Sequence, residues 1–181
     1  MGDADMIAQA NMTWAEWNQS VLLAEFAMLR RRLGEARDGD LEYPENQVEG
    51  TAAPSAIDAL TAAFGLSSFE REILLLCAGV EMDPALRELC EQHSGGGKRA
   101  AVTFGLGMAM LASPHWSALA PSSPLRRFRL VEMDSGHGLT SAPLRIDERI
   151  LHFLAGVNHL DERLAPILRR KIGRASCRER V

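Results

Sequence analysis

Apolar and polar positions along the chain fall into stretches of different period. Between residues 13 and 33, Trp14, Trp17, Val21, Ala24, Met28, Leu29 and Leu33 recur at steps of three and four, the spacing of an amphipathic helix, and Gly34 ends it. Residues 35–55 have no period. Asp38, Gly39, Asp40, Pro44, Gly50 and Pro54 mark them as a polar linker, so the first helix is expected to be a separable appendage. A short helix over 57–64 stops at Gly65, and Ser67 with Glu70 has the spacing of a capping box. In the helix that follows, Phe69, Ile73, Leu76 and Val80 trace one face while Leu74, Leu75 and Cys77 widen it, which places it at the centre of the core. Asp83-Pro84 supplies a cap and a first-turn proline for the next helix, which runs to about His93. Gly95-Gly96-Gly97 interrupts, helix resumes over 100–111, and Ser113-Pro114 opens a short turn through His115, Trp116 and Leu119.

After Pro124 the period changes to two. Residues 127–133 alternate polar and apolar, 134–138 form a turn, and 139–144 supply a second strand, together a β-hairpin. Asp147 caps a helix that carries Ile150, Leu151, Phe153 and Leu154 and stops at Gly156, and Asp161 opens another toward Leu168. The predicted fold class is mainly α with a small β-hairpin: a winged-helix domain preceded by an amphipathic N-terminal helix and linker. The expected division is helix 1–34, linker 35–55, winged-helix domain 56–158 and a connecting helix starting over 159–171. Residues 172–181 form a non-native tail in this reading.

The tail changes the charge balance. Ile172-Gly173-Arg174-Ala175-Ser176-Cys177-Arg178-Glu179-Arg180-Val181 resembles one reading frame of a common short-read sequencing adapter, so the natural gene is expected to continue past Lys171. Without its three Arg and one Glu, 20 basic and 24 acidic residues become 17 and 23, and the net charge moves from −4 to −6. An acidic balance is the reverse of what phosphate contacts require. The local basic spots are Lys98-Arg99, Arg126-Arg127-Phe128-Arg129 and Arg169-Arg170-Lys171, each expected to be a solvated face. Arg30-Arg31-Arg32 lies in a last helical turn, where cations complement the dipole. Asp3 and Asp5 stand where a secretory signal carries cations, and no apolar run approaches the roughly 20 residues of a membrane span, so a cytoplasmic location is expected.

No catalytic constellation emerges. Ser94-Gly95-Gly96-Gly97-Lys98 suggests a phosphate loop, but Gln92 and Arg99 occupy the places of its first glycine and its hydroxyl. Asp147-Glu148 and Asp161-Glu162 sit at helix starts, where capping explains them. Cys90 and His93 form a lone pair, short of the four ligands of zinc, and Cys77 lies in an apolar run as a small buried hydrophobe. His93, His115, His137, His152 and His159 are dispersed, and Trp116, with His115 beside it, is expected in the core. Catalytic residues, cofactor ligands and metal ligands are therefore all expected to be none in this chain.

Phe64-Gly65-Leu66-Ser67 with Phe69-Glu70-Arg71, Leu74-Leu75-Leu76-Cys77-Ala78, His115-Trp116-Ser117-Ala118-Leu119, Pro124-Leu125-Arg126-Arg127 and the run Ala142-Pro143-Leu144-Arg145-Ile146-Asp147-Glu148-Arg149-Ile150-Leu151 resemble the N-terminal region of bacterial AAA+ ATPases. These carry a variant winged-helix domain ahead of the ATPase module, and some are encoded beside contractile injection systems. The resemblance spans roughly residues 14–170 and is most specific over 141–157. For the parent protein it implies ATP and Mg as cofactors, hydrolysis of ATP, a hexameric ring and remodelling of a protein substrate. None of the ATP-handling motifs lies in these residues, so no catalytic residue transfers.

Two functions follow as expectations. The first is a module that recognises a protein substrate or adaptor and is joined to its own ATPase module, without nucleic acid or membrane. The alternative is a winged-helix DNA-binding transcriptional regulator, with the helix over 100–111 as reader and Arg126, Arg127 and Arg129 as contacts. Against the alternative, 100–111 contains no Arg, Asn or Gln to meet base edges. A stand-alone small-molecule enzyme has no supporting constellation.

Overall fold

The structure is a computed structural model and describes residues 13–35, 53–93 and 101–157. Most of the predicted linker, the glycine break with Lys98-Arg99, the connecting helix with its acidic pair and basic end, and the tail lie outside the described residues.

Helix α1 (Trp14–Glu35) begins with a reciprocal cap: Thr13 N and Oγ1 each donate to Glu16 Oε2 at 2.8 Å, and Glu16 N donates to Thr13 Oγ1. Its buried face is Asn18, Leu22, Phe26, Leu29 and Leu33, rotated from the stripe that the tryptophans suggested. These leucines and Phe26 belong to the same core cluster as the helices that follow, so α1 is part of one core where the connecting composition had suggested a separable helix. Its basic end also pairs with neighbouring elements. Arg30 pairs with Asp83, and Arg32 Nη1 lies 2.6 Å from Glu72 Oε1.

Helix α2 (Ala56–Phe64) is capped by Ser55 and ends on Gly65, whose φ of 65° is the left-handed conformation that glycine adopts without strain. Helix α3 (Ser68–Met82) carries the complete Ser67/Glu70 capping box. From Glu72 to Val80 every residue is buried, as expected of the helix that others surround. Glu72 is tolerated there because Oε1 accepts from Arg32 and Oε2 accepts from Ala112 N at 3.0 Å. Arg71 holds Glu25 by two bonds of 3.0 and 2.8 Å and reaches Asp58. Burial pulls its guanidinium toward the neutral form, and Glu25 and Asp58 more than offset this, keeping it firmly charged. Helix α4 (Pro84–His93) starts where Asp83 Oδ1 accepts from Ala85 N and Leu86 N, and buries Leu86 and Cys90.

Helix α5 (Phe104–Met110) is shorter than the sequence suggested and tightly seated. A Cβ on Gly107 would come within 2.3 Å of Ile73 Cδ1, and one on Gly105 within 2.9 Å of the Thr140 carbonyl, so both glycines permit close approach. A 3-10 turn (Trp116–Leu119) leads to α6 (Pro124–Arg127), strands β1 (Val131–Met133) and β2 (Leu144–Ile146), and α7 (Glu148–Leu154). The strands pair antiparallel with Val131 opposite Ile146 and Met133 opposite Leu144. Both lie later than predicted. Pro124 starts a helical turn, Leu130 N returns to Leu125 O, and only then does the chain extend. On the other side Ser141 N and Ala142 N turn back to Gly138 O, so 138–142 cannot extend. Leu144 N instead meets Val102 O at 2.8 Å, and Thr103 bridges Pro143, adding a minimal third strand to the hairpin.

Asn18 ties the two ends of this body together. Its Oδ1 accepts from Ala56 N at 2.7 Å and its Nδ2 donates to Leu154 O at 2.8 Å, while Trp14 Nε1 donates to Pro54 O. The chain thus enters α2 and leaves α7 beside the start of α1. Among the described residues no helix is long and apolar enough to cross a membrane.

Candidate interaction surface

At the turn between α2 and α3, residues 64–67, the end of α2 meets the 3-10 turn and the end of α6. Phe64 packs its ring on Phe128 at 5.0 Å between centroids, at the end of α6. Ser67 Oγ lies 2.8 Å from His115 Nε2, at the start of the 3-10 turn, and the His115 ring stands edge-on to Phe69. Ser67 has one hydroxyl hydrogen, which it donates to Glu70 Oε2 at 2.8 Å, so His115 Nε2 donates to Ser67. In the neutral ring, Nδ1 then accepts from Ser117 Oγ at 2.8 Å. The chain of bonds from the α3 cap fixes the loop that carries Trp116. That residue is 63% exposed, and Phe128 is 45% exposed, so two large aromatics stand in solvent around one corner. The expectation of a core Trp116 is therefore corrected. Its neighbours Ala118 and Leu119 fill the core, and a turn this short cannot bury all of its side chains.

The three arginines of this segment differ. Arg126 is half-buried, and its Nη1 donates to the Leu119 carbonyl at 2.5 Å, which fastens the 3-10 turn to α6. Arg127 and Arg129 are exposed and form no ion pair among the described residues, and the Arg127 guanidinium lies 5.3 Å from the Phe128 ring centroid. Arg129 has φ of 53°, a left-handed backbone that costs a non-glycine residue roughly 1 kcal/mol. In the sequence the three arginines form one basic run. Only the fold assigns Arg126 to the scaffold and leaves the other two to solvent.

The elements of a DNA reader are placed differently. Helix α5 buries Phe104 and Gly107 against α3, and Ala109 is its only exposed residue. The described part of the 100–111 segment packs inward through Val102, Phe104, Gly107 and Leu111, which leaves little of it to enter a groove. The helix that leads into the hairpin is α6, with four residues. At 1.5 Å per residue it is about 6 Å long, short against a major groove about 12 Å wide. The hairpin loop folds back on α5 through Gly105 N donating to Thr140 O at 2.8 Å, and residues 134–143 contain no Lys or Arg.

Elsewhere, a cleft of about 450 Å³ separates the end of α3 from the hairpin, bounded by Cys77, Val80, Glu81, Val102, Asp134 and Arg145. Burial pushes the Cys77 thiol far above its ordinary range, with Cys90 and Glu81 adding to the effect, and burial moves Cys90 up to about 11. Both are inert at neutral pH. His93 is not free for a metal: its Nε2 donates to the Leu33 carbonyl at 3.0 Å, and Cys90 is in the core. Among the described residues no three His, Cys, Asp or Glu side chains converge.

A family model described as "Winged helix domain, variant" matches residues 29–168, most of the chain, and the chain belongs to that family. No curated protein and no solved structure matches it.

Proposed function

We propose, from membership of the variant winged-helix family, that this chain is the partner-recognition domain of a AAA+ ATPase and binds a protein substrate or adaptor. The observation that carries the recognition role is the aromatic and basic corner at residues 64–67, 116 and 127–129, presented by a family member whose helix before the hairpin is a single turn. The ATPase connection rests on the sequence resemblance, most specific over 141–157. In this reading ATP and Mg belong to a module beyond residue 171, and no residue of this chain is assigned to them. The protein acts in the cytoplasm, where such a machine meets its substrates.

Reading the natural gene past codon 171 tests the parentage. The expected frame contains Gly-x-x-x-x-Gly-Lys-Ser/Thr followed by an acidic metal-binding motif, and the longer protein hydrolyses ATP. A frame without that motif sinks the ATPase assignment. Regulation of transcription through duplex DNA is the second reading, supported by the family's fold alone. It predicts salt-dependent binding to duplex DNA that weakens when Arg126, Arg127 and Arg129 are replaced.

A further inference from the structure

We infer that the corner formed by Phe64, Trp116, Arg127, Phe128 and Arg129 docks an acidic segment of a partner protein, one that carries an apolar or aromatic residue between its carboxylates. The inference deepens the recognition role proposed above and does not depend on the ATPase connection. Single exposed apolar residues are ordinary on protein surfaces. Here the Phe64 and Phe128 rings touch, and the Ser67–His115 bond sets Trp116 beside the same four-residue turn, so the exposed Trp116 and Phe128 both flank that turn. Aromatic residues and Arg are the side chains most enriched where interfaces concentrate their binding energy.

Charge names the occupant. The chain carries a net charge of −4, yet the cations at this corner have no carboxylate paired to them among the described residues. The carboxylate beneath, Glu70, is 3% exposed and committed through Oε2 to Ser67. Planar guanidinium groups bind carboxylates by two parallel hydrogen bonds, and an apolar side chain of the partner would cover the rings between them.

The backbone of Arg129 fixes where its cation stands. At φ of 53° glycine or asparagine would be at ease, and the fold gives the Arg129 side chain no ion pair among the described residues in return. The left-handed turn is the C-terminal cap of α6, closed by Arg129 N on Arg126 O and Leu130 N on Leu125 O, so the cation is presented from a fixed backbone. A single-stranded nucleic acid could also use rings and arginines. Two cations on an acidic protein, with none in the hairpin loop, are a poor phosphate track, so the acidic protein segment is the occupant favoured.

The test is fluorescence anisotropy on the full chain with a labelled peptide of about a dozen residues, Asp and Glu interrupted by Leu and Tyr, within the length that one small surface can hold. Three comparison ligands are the same peptide with Asn and Gln for the acids, oligothymidine of matching length, and duplex DNA. Binding of the acidic peptide alone is expected. It should weaken on the order of tenfold in Arg127→Gln/Arg129→Gln and in Phe128→Ala, and weaken with added salt. Arg145→Gln, opposite Glu132 on the hairpin, should leave it unchanged. Arg129→Gly keeps the backbone conformation while deleting the cation, so its loss of binding cannot be ascribed to misfolding. Equal binding of the neutral peptide, wild-type affinity in the arginine variants, or tighter binding of either nucleic acid through Arg127 and Arg129 would overturn the proposal.

Discussion

Two arginine clusters that look alike in the sequence are used in opposite ways. Arg30-Arg31-Arg32 ends α1 against the body of the protein, where Arg30 meets Asp83 and Arg32 meets the buried Glu72. Arg126-Arg127-Phe128-Arg129 ends α6 at a corner, where only Arg126 is tied inward, to a carbonyl. What separates the clusters is the supply of acceptors. Glu72 of α3 and Asp83, at the α3–α4 junction, bring carboxylates to the first cluster, whereas the described residues bring none to the second. A cation that completes a buried pair is part of stability, and one in solvent contributes little to it and is available to bind.

Stability measurements on single variants can break this contrast. The largest effect is expected from Glu72→Ala, which strands Arg32 and the Ala112 amide and should lower the urea-unfolding free energy by about 3 kcal/mol. Arg71→Ala removes the partner of Glu25 and Asp58 in a partly exposed setting. Its expected cost is about 1–2 kcal/mol, read from the same midpoint shift. Arg129→Gly should do the reverse and gain roughly 1 kcal/mol, raising the melting temperature by a few degrees, because the left-handed backbone is relieved. Smallest of all, Arg127→Gln should stay within about 0.5 kcal/mol of the parent chain. A cost above 1 kcal/mol at Arg127 would show that the second cluster is also structural.

The legible parts of the fold are those set by nearest neighbours in sequence. The Ser67/Glu70 box, the Asp83 and Asp147 caps and the Gly65 stop each need a few adjacent residues, and α3 declares its burial by the uncharged run from Ile73 to Val80. Helix α1 was harder because its most conspicuous side chains, Trp14 and Trp17, flank the buried face. Asn18 lies on that face, and its partners at Ala56 and Leu154 are 38 and 136 residues away, beyond any periodicity. Both strands start later than the pattern predicts, because alternation continues through Arg127–Arg129 and 139–143 while local hydrogen bonds bend the chain there.

The candidate site was half legible. Arg127 and Arg129 stood out as a charge run, but Arg126 beside them belongs to the scaffold for the sake of one carbonyl. Trp116 looked like a core residue because most tryptophans bury area, and its exposure depends on Ala118 and Leu119 taking the inward positions of the same turn. Phe64 and Phe128 are distant in sequence and only the packing of α2 on the end of α6 joins them.

Amide hydrogen exchange of the whole chain, with and without the acidic peptide, addresses the corner most directly. Added protection confined to residues 64–67, 115–117 and 127–129, with the hairpin loop at 134–143 unchanged, is the expected result. Protection centred on the hairpin loop, or none at peptide concentrations that saturate binding, would contradict it.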